Sequence, residues 1–347
     1  MNKKVTTTEE LPQIELEAKE IPEVYKIPVA RQLLLLGLIL LLIFGSALRP
    51  KIIALLPQKD SIPAAIGLTD GNTKITDVEA TTKKPFENIK ITGKSAYVWD
   101  ITNQKVLYKK NETTVLPLAS VTKLMTALLA QEILGPNESI TIDKTAITQD
   151  GDSGLREGEV FNRLSLSDLV LMSSSNDGAY ALAEAAGNKL APQNGANAFV
   201  SAMNIRATEM GLTETGFKNP TGLDISEQES GAYGTARDMA FLMEYIVKNE
   251  PDILAYTKEN TARLYAKTGE HHDAENTNSY INEIPGLIGS KTGYTPLAGG
   301  NLVIAFNVGL NRPIAIVVLG STQTERFTDV IKLVEESQKY AVTTASN

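Results

Sequence analysis

The chain has 347 residues, which is room for about two domains, and its 42% hydrophobic content excludes disorder throughout. Lys and Arg number 33 against 41 Asp and Glu, a net charge of −8, so no basic excess is present to bind a nucleic acid backbone. The absence of Cys excludes disulfides, thiolate metal sites and cysteine nucleophiles. The two His, His271 and His272, are adjacent and give almost no candidates for a metal cage or a Ser-His-Asp triad. We therefore expect no nucleic acid partner, no metal and no cofactor.

The N-terminal part of the sequence contains a membrane candidate. Residues 1–31 are polar with mixed charge and predict a solvated tail. Residues 32–48 include the uncharged run Leu33–Leu48, slightly shorter than a hydrocarbon core of ~30 Å, and predict a single transmembrane signal-anchor whose flanking basic residues snorkel. The small residues Gly45–Ala47 leave a cleaved signal peptide open as the alternative. The charged segment ahead of the run is longer than in a usual signal peptide, which favours an uncleaved anchor.

Composition divides the remainder into three parts. Residues 49–92, rich in Pro, Thr and charged residues, predict a linker, residues 93–342 a folded domain, and residues 343–347 a short tail. The domain begins with two β-favouring stretches that predict a hairpin, Ser95–Ile101 and Lys105–Tyr108.

Helices and then strands follow along the domain. Apolar residues at helical spacing predict a buried helix over Leu118–Leu134, which ends before Gly135. The same criteria predict helices at Leu166–Met172, Asp177–Ala186, Ala198–Met210 and Thr235–Val247, then strands at Leu287–Ile288, Leu302–Val308 and Ile314–Leu319, and an amphipathic helix over Arg326–Tyr340. Because the late strands are joined by short connections, they predict an antiparallel sheet that the first hairpin completes and helices flank.

A Ser-x-x-Lys motif lies at the start of the first helix. Ser120 and Lys123 are one helical turn apart on the same face, so the lysine amine can reach the serine hydroxyl. A serine becomes a nucleophile when a base takes its proton, and a desolvated lysine has a pKa low enough to be that base. Taken alone, an ordinary helix cap followed by an exposed lysine also explains the pair.

The segment Ser174-Ser175-Asn176 interrupts two predicted helices and is typical of a loop held between buried elements. Its hydroxyl and carboxamide suit proton transfer and the binding of a substrate amide, and a polar turn with local capping bonds is the alternative.

Lys-Thr-Gly occurs twice, at Lys267 to Gly269 and at Lys291 to Gly293. The first copy continues into polar residues and predicts a turn, in which His271 and His272 lie at the surface. The second follows an apolar stretch and precedes Tyr294, so it predicts a strand whose glycine lets a substrate backbone approach closely.

In this order the three motifs resemble those of the penicillin-recognising serine enzymes. Within that superfamily the chain is similar to the D-alanyl-D-alanine carboxypeptidases, the low-molecular-mass penicillin-binding proteins, over roughly residues 90–342. Five stretches carry the resemblance: Leu116–Thr126, Ser174–Glu184, Met203–Leu223, Asn276-Thr277-Asn278 and Gly289–Leu302.

The resemblance assigns a role to each motif residue. Ser120 is implied as the nucleophile and Lys123 as its general base. Ser174 and Lys291 are implied as the pair that relays a proton to the departing D-alanine, and Asn176 as the amide that positions substrate and lysine. The remaining implied residues bind substrate: Thr292 and Arg326 the terminal carboxylate, Gly293 the approaching substrate backbone, and Tyr294, with Ser120, the oxyanion through backbone N–H groups.

The implied fold is α/β of the β-lactamase/transpeptidase type, with a five-stranded antiparallel sheet flanked by helices, a helical subdomain and, here, an N-terminal transmembrane helix. Two departures from the family pattern stand out. Ser175 replaces the glycine of many relatives, and only a handful of residues follow the last predicted helix, where many relatives carry an additional β-rich domain.

The implied function is a serine-type hydrolase that removes the terminal D-alanine from peptidoglycan stem peptides ending in D-Ala-D-Ala, through an acyl-enzyme on Ser120. β-Lactam antibiotics are then expected as covalent inhibitors. Because cross-linked wall peptide lies outside the cytoplasmic membrane, we expect a single-pass protein of the cell membrane with an external catalytic domain, or a secreted one if the N-terminal segment is cleaved.

Three alternatives remain. A class A β-lactamase would use a glutamate to activate the deacylating water, and the stretch beginning at Glu209 resembles that element superficially. A D,D-endopeptidase would use the same residues on the cross-link, and a non-catalytic wall-binding relative would keep the fold without turnover.

Overall fold

The computed structural model describes residues 84–151 and 153–345 of the chain. The predicted tail (1–31) and transmembrane anchor (32–48) lie outside these residues. Within the described ranges, the helices all fall short of the combined length and apolar character that a bilayer crossing requires.

Within the described ranges, the strands in chain order are β1 (Ser95–Asp100), β2 (Lys105–Lys110), β3 (Leu116–Pro117), β4 (Ser139–Thr141), β5 (Val160–Asn162), β6 (Gly216–Phe217), β7 (Ala232–Gly234), β8 (Thr261–Tyr265), β9 (His271–Glu275), β10 (Leu287–Thr295), β11 (Gly299–Asn307) and β12 (Pro313–Ser321). The α-helices there are α1 (Lys123–Ile133), α2 (Arg163–Met172), α3 (Asn176–Leu190), α4 (Gly195–Glu209), α5 (Ala236–Asn249) and α6 (Glu325–Ala345).

A five-stranded antiparallel sheet in the order β10-β11-β12-β1-β2 forms the centre of the domain and confirms the predicted sheet. Its long strands are rich in Val, Ile, Leu and aromatic residues, which favour a pleated, buried backbone. β10 is an edge strand that pairs only with β11 in this sheet, with Lys291 opposite Val303. The edge position leaves one side of β10 available to another chain.

Both faces of the sheet are covered by helices. In β1, Tyr97 and Trp99 pack on one face with the apolar residues of α1 to α5, whereas Ala96 and Val98 pack on the opposite face with α6. This alternation follows from the two-residue period of a strand. The α1 helix is buried along most of its length, so the residues at its start are held in a rigid setting.

The end of the predicted linker contacts the domain. The backbone N–H of Phe86 donates to Glu336 at 2.8 Å, and the Phe86 ring stacks on Tyr108 with 5.8 Å between centroids. At the other terminus, α6 continues through residues 343–345 of the predicted tail. The hydroxyl of Thr343 donates to the Lys339 carbonyl one turn earlier, which suits a continuing helix.

Two sequence-based expectations need correction. The helix predicted over Leu118–Leu134 begins as a short 3-10 turn, Ala119–Thr122, because Ala119 has a left-handed φ of 48° that no α-helix contains. The polar stretch around His271 and His272 is strand β9 of a hairpin rather than a surface turn, since cross-strand pairing with β8 outweighs its polar composition. The Nε2 atom of His272 lies 3.0 Å from the Glu159 carboxylate.

Candidate active site

Ser120 and Lys123 lie at the junction between the sheet and α1. The short 3-10 turn that precedes α1 places the Lys123 Nζ atom 2.7 Å from the Ser120 Oγ atom. The side chain of Asn301, on β11, donates to the carbonyls of Pro117 and Leu118 at 3.0 Å each, and so fixes the chain that enters this turn. The predicted pairing of serine and lysine is present in the structure.

Lys123 is completely buried, and its amine is surrounded by hydrogen-bond acceptors. Besides Ser120, the amine donates to Oδ1 of Asn176 at 2.7 Å and to the main-chain carbonyl of Thr221 at 2.9 Å. Burial lowers the pKa of Lys123 well below its usual value, and the nearby charge of Lys291 lowers it further. A neutral amine beside a serine hydroxyl is suited to accept its proton.

The middle motif joins α2 to α3. Ser174 has a left-handed φ of 64°, and Asn176 is the first residue of α3. The Asn176 Nδ2 atom donates to the main-chain carbonyl of Asp150 at 2.6 Å. Because that carbonyl only accepts, it holds the amide in the orientation that points Oδ1 at Lys123.

Ser175, the departure from the family pattern, is buried and caps α3. Its hydroxyl accepts from the Gly178 N–H at 2.9 Å and donates to the Ser153 hydroxyl at 2.9 Å. The extra hydroxyl therefore links the start of α3 to the segment that carries Asp150, and it leaves the neighbouring Ser174 and Asn176 in contact with the two lysines.

A second hydroxyl and amine pair faces the first. The Lys291 Nζ atom on β10 lies 2.8 Å from the Ser174 Oγ atom and donates to the Thr292 carbonyl at 2.9 Å. Burial, assisted by the charge of Arg326, lowers the pKa of Lys291 to about 7. Lys291 is thus able to hold and release a proton near neutral pH.

The rest of the Lys-Thr-Gly strand forms the wall opposite Ser120. At Gly293 a side-chain carbon would lie 2.9 Å from the Leu118 carbonyl and 3.1 Å from the Ser120 nitrogen, so glycine is needed for this close approach. The next residue, Tyr294, is 47% exposed at the surface. The predicted oxyanion donors, the N–H groups of Ser120 and Tyr294, therefore belong to two backbones that pack against each other.

Arg326 lies in the first turn of α6 and is buried behind β10. One guanidinium nitrogen donates to the Gly293 carbonyl at 2.7 Å, while Nε is buried without a hydrogen-bond partner. Burial lowers the pKa of Arg326 to about 10. The predicted carboxylate ligand is thus next to the strand and adds positive charge beside Lys291.

Several groups that line this site have no role predicted from the sequence. Thr277 accepts a hydrogen bond from the Thr292 hydroxyl at 2.6 Å, and the carbonyls of Asp150 and Thr221 hold Asn176 and Lys123. Thr277 and Thr221 lie in stretches that carried the family resemblance, which was the available signal. Main-chain carbonyls have no sequence signature, so their part could not be predicted.

Two other features noted in the sequence, the first Lys-Thr-Gly copy and Glu209, lie outside this site. The first Lys-Thr-Gly copy is in the β8–β9 turn, where Lys267 donates to the Ser139 hydroxyl at 2.8 Å. Glu209, the residue of the β-lactamase alternative, is the last residue of α4 and pairs with Arg206 at 3.3 Å, with 59% of its side chain exposed. Among the described residues, no group of three or more His, Asp and Glu is placed to hold a metal ion.

Taken together, the site holds two serine hydroxyls, each hydrogen-bonded to a buried lysine; the Asn176 amide contacts one lysine, and edge strand β10 carries the other. Such an arrangement is able to activate one hydroxyl as a nucleophile, carry a proton through the other and attract an anionic group.

Comparison with known proteins gives one family. The family model described as D-alanyl-D-alanine carboxypeptidase matches residues 79–323. The D-alanyl-D-alanine carboxypeptidase DacF of Bacillus subtilis is 35% identical over 250 residues, 70% of this chain and 61% of that protein. A D-alanyl-D-alanine endopeptidase of Pseudomonas aeruginosa is 33% identical over 231 residues, 65% of this chain and 70% of the endopeptidase. This chain thus spans about three fifths of the length of the Bacillus relative.

Solved structures agree with the sequence comparisons. Penicillin-binding protein D2 of Listeria monocytogenes, in an ampicillin-bound form, gives a TM-score of 0.60 at 27% identity, over 72% of this chain and 99% of that one. A mutant of the Streptomyces K15 DD-transpeptidase gives a TM-score of 0.65 at 27% identity, over 72% of this chain and 98% of that one.

Proposed function

We propose, from the premise that this chain belongs to the D-alanyl-D-alanine carboxypeptidase family, that it is a serine-type hydrolase which removes the terminal D-alanine from peptidoglycan stem peptides. The observation that carries the proposal is the buried Lys123 amine, 2.7 Å from the half-buried Ser120 hydroxyl. A lysine in this position is costly for folding and is suited to one task, the removal of the serine proton.

The surroundings of Lys123 determine the direction of its lone pair. A neutral amine has two N–H groups and one lone pair. The Thr221 carbonyl and the Asn176 Oδ1 atom are acceptors without a proton, so they take the two N–H groups. The lone pair then faces the Ser120 hydroxyl, the one neighbour of the three that carries a proton to give.

Acylation follows from this geometry. Ser120 transfers its proton to Lys123 while its oxygen attacks the carbonyl carbon of the penultimate D-alanine. The resulting oxyanion is stabilised by the backbone N–H groups of Ser120 and Tyr294. When the peptide bond breaks, the D-alanine nitrogen receives a proton from the Ser174 hydroxyl. Lys291 then gives a proton to the Ser174 oxygen. Water then attacks the ester on Ser120; one of its protons returns to the Ser120 oxygen and the other leaves to solvent, so the peptide departs as a carboxylate. Proton exchange with solvent returns Lys123 to its neutral form and Lys291 to its charged form.

The free carboxylate of the substrate suits the cationic wall of the site. Lys291 and Arg326 supply positive charge beside β10, and the Thr292 and Thr277 hydroxyls lie at the same edge. An acyl-D-Ala-D-Ala terminus would bring its carboxylate to this side, with Asn176 available to its amide.

A serine-to-alanine substitution tests the mechanism. We expect Ser120→Ala to abolish both D-alanine release from a diacetyl-Lys-D-Ala-D-Ala peptide and covalent labelling by benzylpenicillin, because both need the same hydroxyl. Intact-protein mass spectrometry after penicillin treatment would measure the adduct. Continued labelling or D-alanine release by this variant would show that Ser120 is not the nucleophile.

A D,D-endopeptidase is the second candidate, because the Pseudomonas relative carries that name. Both reactions attack the carbonyl of a D-alanine, so the same hydroxyl and amine pairs serve either one. Incubation with a cross-linked muropeptide dimer separates the two activities: cleavage of the dimer without release of terminal D-alanine would favour the endopeptidase.

We further propose that residues 32–48 anchor the protein in the cell membrane, with the domain of residues 93–342 on the external face. The support is the uncharged run in the sequence and the extracytoplasmic position of the substrate. Mass spectrometry of the intact protein from a membrane fraction tests this proposal, because a mature N-terminus after Ala47 would show a cleaved signal peptide instead.

A further inference from the structure

The turn formed by residues 219–223 packs directly on the start of α1. The Thr221 carbonyl accepts from Lys123 at 2.9 Å, and the Pro220 carbonyl accepts from the Thr126 hydroxyl at 2.6 Å. Gly222 has a left-handed φ of 79°, and a side-chain carbon there would overlap the carbonyl of Ala119. Three successive residues of the turn therefore contact α1 or the 3-10 turn that precedes it.

The side chain of Asn219 holds this turn together from inside. Its Oδ1 atom accepts from the Gly222 N–H at 2.7 Å and from the Thr221 N–H and hydroxyl at 3.2 and 3.1 Å. Its Nδ2 atom donates to the Leu223 carbonyl at 2.9 Å. The backbone at Gly231 lies so close to the Asn219 amide that any side chain there would overlap it. Asn219 is therefore fixed on both sides.

We propose that Asn219 is a positioning residue for acyl transfer, which holds the Thr221 carbonyl where it takes one N–H of Lys123 and turns the lone pair toward Ser120. The inference rests on the proposed function of the Ser120 and Lys123 pair. Without the Asn219 bonds, the Thr221 carbonyl is free to rotate away. Lys123 then loses one of the two acceptors that orient it, although its side chain and that of Ser120 are unchanged.

A purely structural role for Asn219 predicts a different result, and Asn204 supplies the matched control. Asn204 also clamps this part of the chain with its side-chain amide: Oδ1 accepts from the Phe217 N–H and Nδ2 donates to the Phe217 carbonyl, both at 2.8 Å. It acts on β6, whereas Asn219 acts on the turn that contacts Lys123. Loss of either amide removes hydrogen bonds, but only one of them orients the amine.

The test compares Asn219→Ala, Asn219→Asp and Asn204→Ala in the full chain with benzylpenicillin. Stopped-flow measurements at several drug concentrations separate the dissociation constant of the initial complex from the rate constant of acylation.

We expect the acylation rate constant to fall about 100-fold in Asn219→Ala and about 10-fold in Asn219→Asp, since misplacement of a reacting group by about 1 Å costs rates of this order. The aspartate keeps the oxygen that accepts from the Gly222 N–H. It replaces the amide nitrogen that donates to the Leu223 carbonyl with a second oxygen, so that hydrogen bond is lost. The dissociation constant should stay within about twofold in all three variants, as should the acylation rate in Asn204→Ala.

Thermal unfolding of each variant establishes that the folded protein is compared. If Asn219→Ala does not fold, Asn219→Asp decides the question. An acylation rate like that of the wild type in a folded Asn219 variant overturns the inference, and so does an equal loss in Asn204→Ala. Failure of the wild-type chain itself to form a penicillin adduct would instead overturn the proposed function.

Discussion

At the scale of single residues, the site contains three basic side chains. Lys123, Lys291 and Arg326 are all buried, and none of them forms an ion pair with a carboxylate among the described residues. Burial is the first cause of the lowered pKa in each case, and the two lysines each face a further positive neighbour. Both amines have a lowered pKa, and that of Lys291 is about 7, an arrangement suited to separate a base from a proton donor.

The pH dependence of catalysis should report Lys291. Its pKa of about 7 means that it is protonated below and neutral above that pH, so we expect kcat/KM for the D-Ala-D-Ala peptide to fall as pH rises above about 7. In Lys291→Arg the guanidinium stays charged, and the fall should move to higher pH even if the maximal rate is lower. Initial rates between pH 5 and 10 check this for both proteins. An unchanged alkaline limb in the arginine variant would assign that limb to another group.

At the scale of elements, the site is made where strand β10 meets the 3-10 turn before α1. Neither element makes a site alone, because Ser120 comes from the turn and Lys291 from the strand, while Ser174 comes from the α2–α3 loop. The glycine at position 293 sets the distance between strand and turn. We therefore expect the distance between these two backbones, called the gap below, to affect the rate of acylation.

Gly293→Ala should widen this gap. The added carbon would lie 2.9 Å from the Leu118 carbonyl and 3.1 Å from the Ser120 nitrogen, so strand or turn must shift. We expect a stability loss of about 1–3 kcal/mol and a fall of about 100-fold in the acylation rate, measured by urea unfolding and by penicillin labelling. Gly309→Ala, at a position with no atom within 4 Å of the added carbon, is the control and should leave acylation intact. Equal acylation by the two variants would contradict this view of the gap.

The elements differ in how far the sequence predicted them. Helices α2 to α6 and the large sheet follow from apolar periodicity, and the solved relatives confirm the transpeptidase-like fold that the motifs implied. The β8–β9 hairpin was missed because its residues are mostly polar and exposed, and the inward-facing residues of its short alternating pattern include a histidine and two alanines. The 3-10 turn was predicted as ordinary helix, since the left-handed conformation of Ala119 is imposed by its surroundings and not by its side chain.

The groups of the candidate site also differ in whether the sequence predicted them. Ser120, Lys123, Ser174, Asn176 and Lys291 were identified by motif. In the structure Lys123 is hydrogen-bonded to Ser120 and Asn176, and Lys291 to Ser174. The Thr221 and Asp150 carbonyls were not identified, because every residue has a carbonyl and only the folded chain selects two of them. Sequence motifs thus indicate the reacting groups and the side chain of Asn176, whereas the main-chain groups that orient them are seen only in the folded structure.

At the scale of the whole molecule, the buried lysines of the site lower the stability of the domain. A lysine that loses its charge on folding lowers stability wherever the unfolded chain would bind the proton. For Lys291 the usual pKa of 10.5 falls to about 7 in the folded protein, so stability rises with pH between those values and the full cost is present below about pH 7. Other contacts must offset it, such as the Asp329 carboxylate, which accepts from the Gly93 N–H and the Ser321 hydroxyl at 2.8 Å and ties α6 to the sheet.

Lys291→Met should therefore give an inactive but more stable protein. At pH 7 we expect the free energy of unfolding to increase by about 1–4 kcal/mol, as when a buried ion pair is replaced by apolar side chains, because the desolvation cost of the buried charge is removed. The gain should shrink as the pH approaches 10, because the wild type recovers that stability there. Urea unfolding at pH 7 and pH 9 measures both effects. Lower stability of the methionine variant at pH 7 would mean that Lys291 contributes bonding that outweighs its burial.

The left-handed residues Ala119 and Ser174 have a consequence for how the site responds to ligands. Ala119 precedes Ser120, the proposed nucleophile, and Ser174 carries the hydroxyl proposed to relay a proton. A left-handed conformation costs an L-residue roughly 1–2 kcal/mol. Only the packed domain maintains it, so both hydroxyls are oriented when the chain folds and not when substrate arrives. The site is therefore preorganised. A ligand of matching geometry binds with little entropic cost for ordering the protein, whereas a ligand of different geometry cannot easily induce a fit.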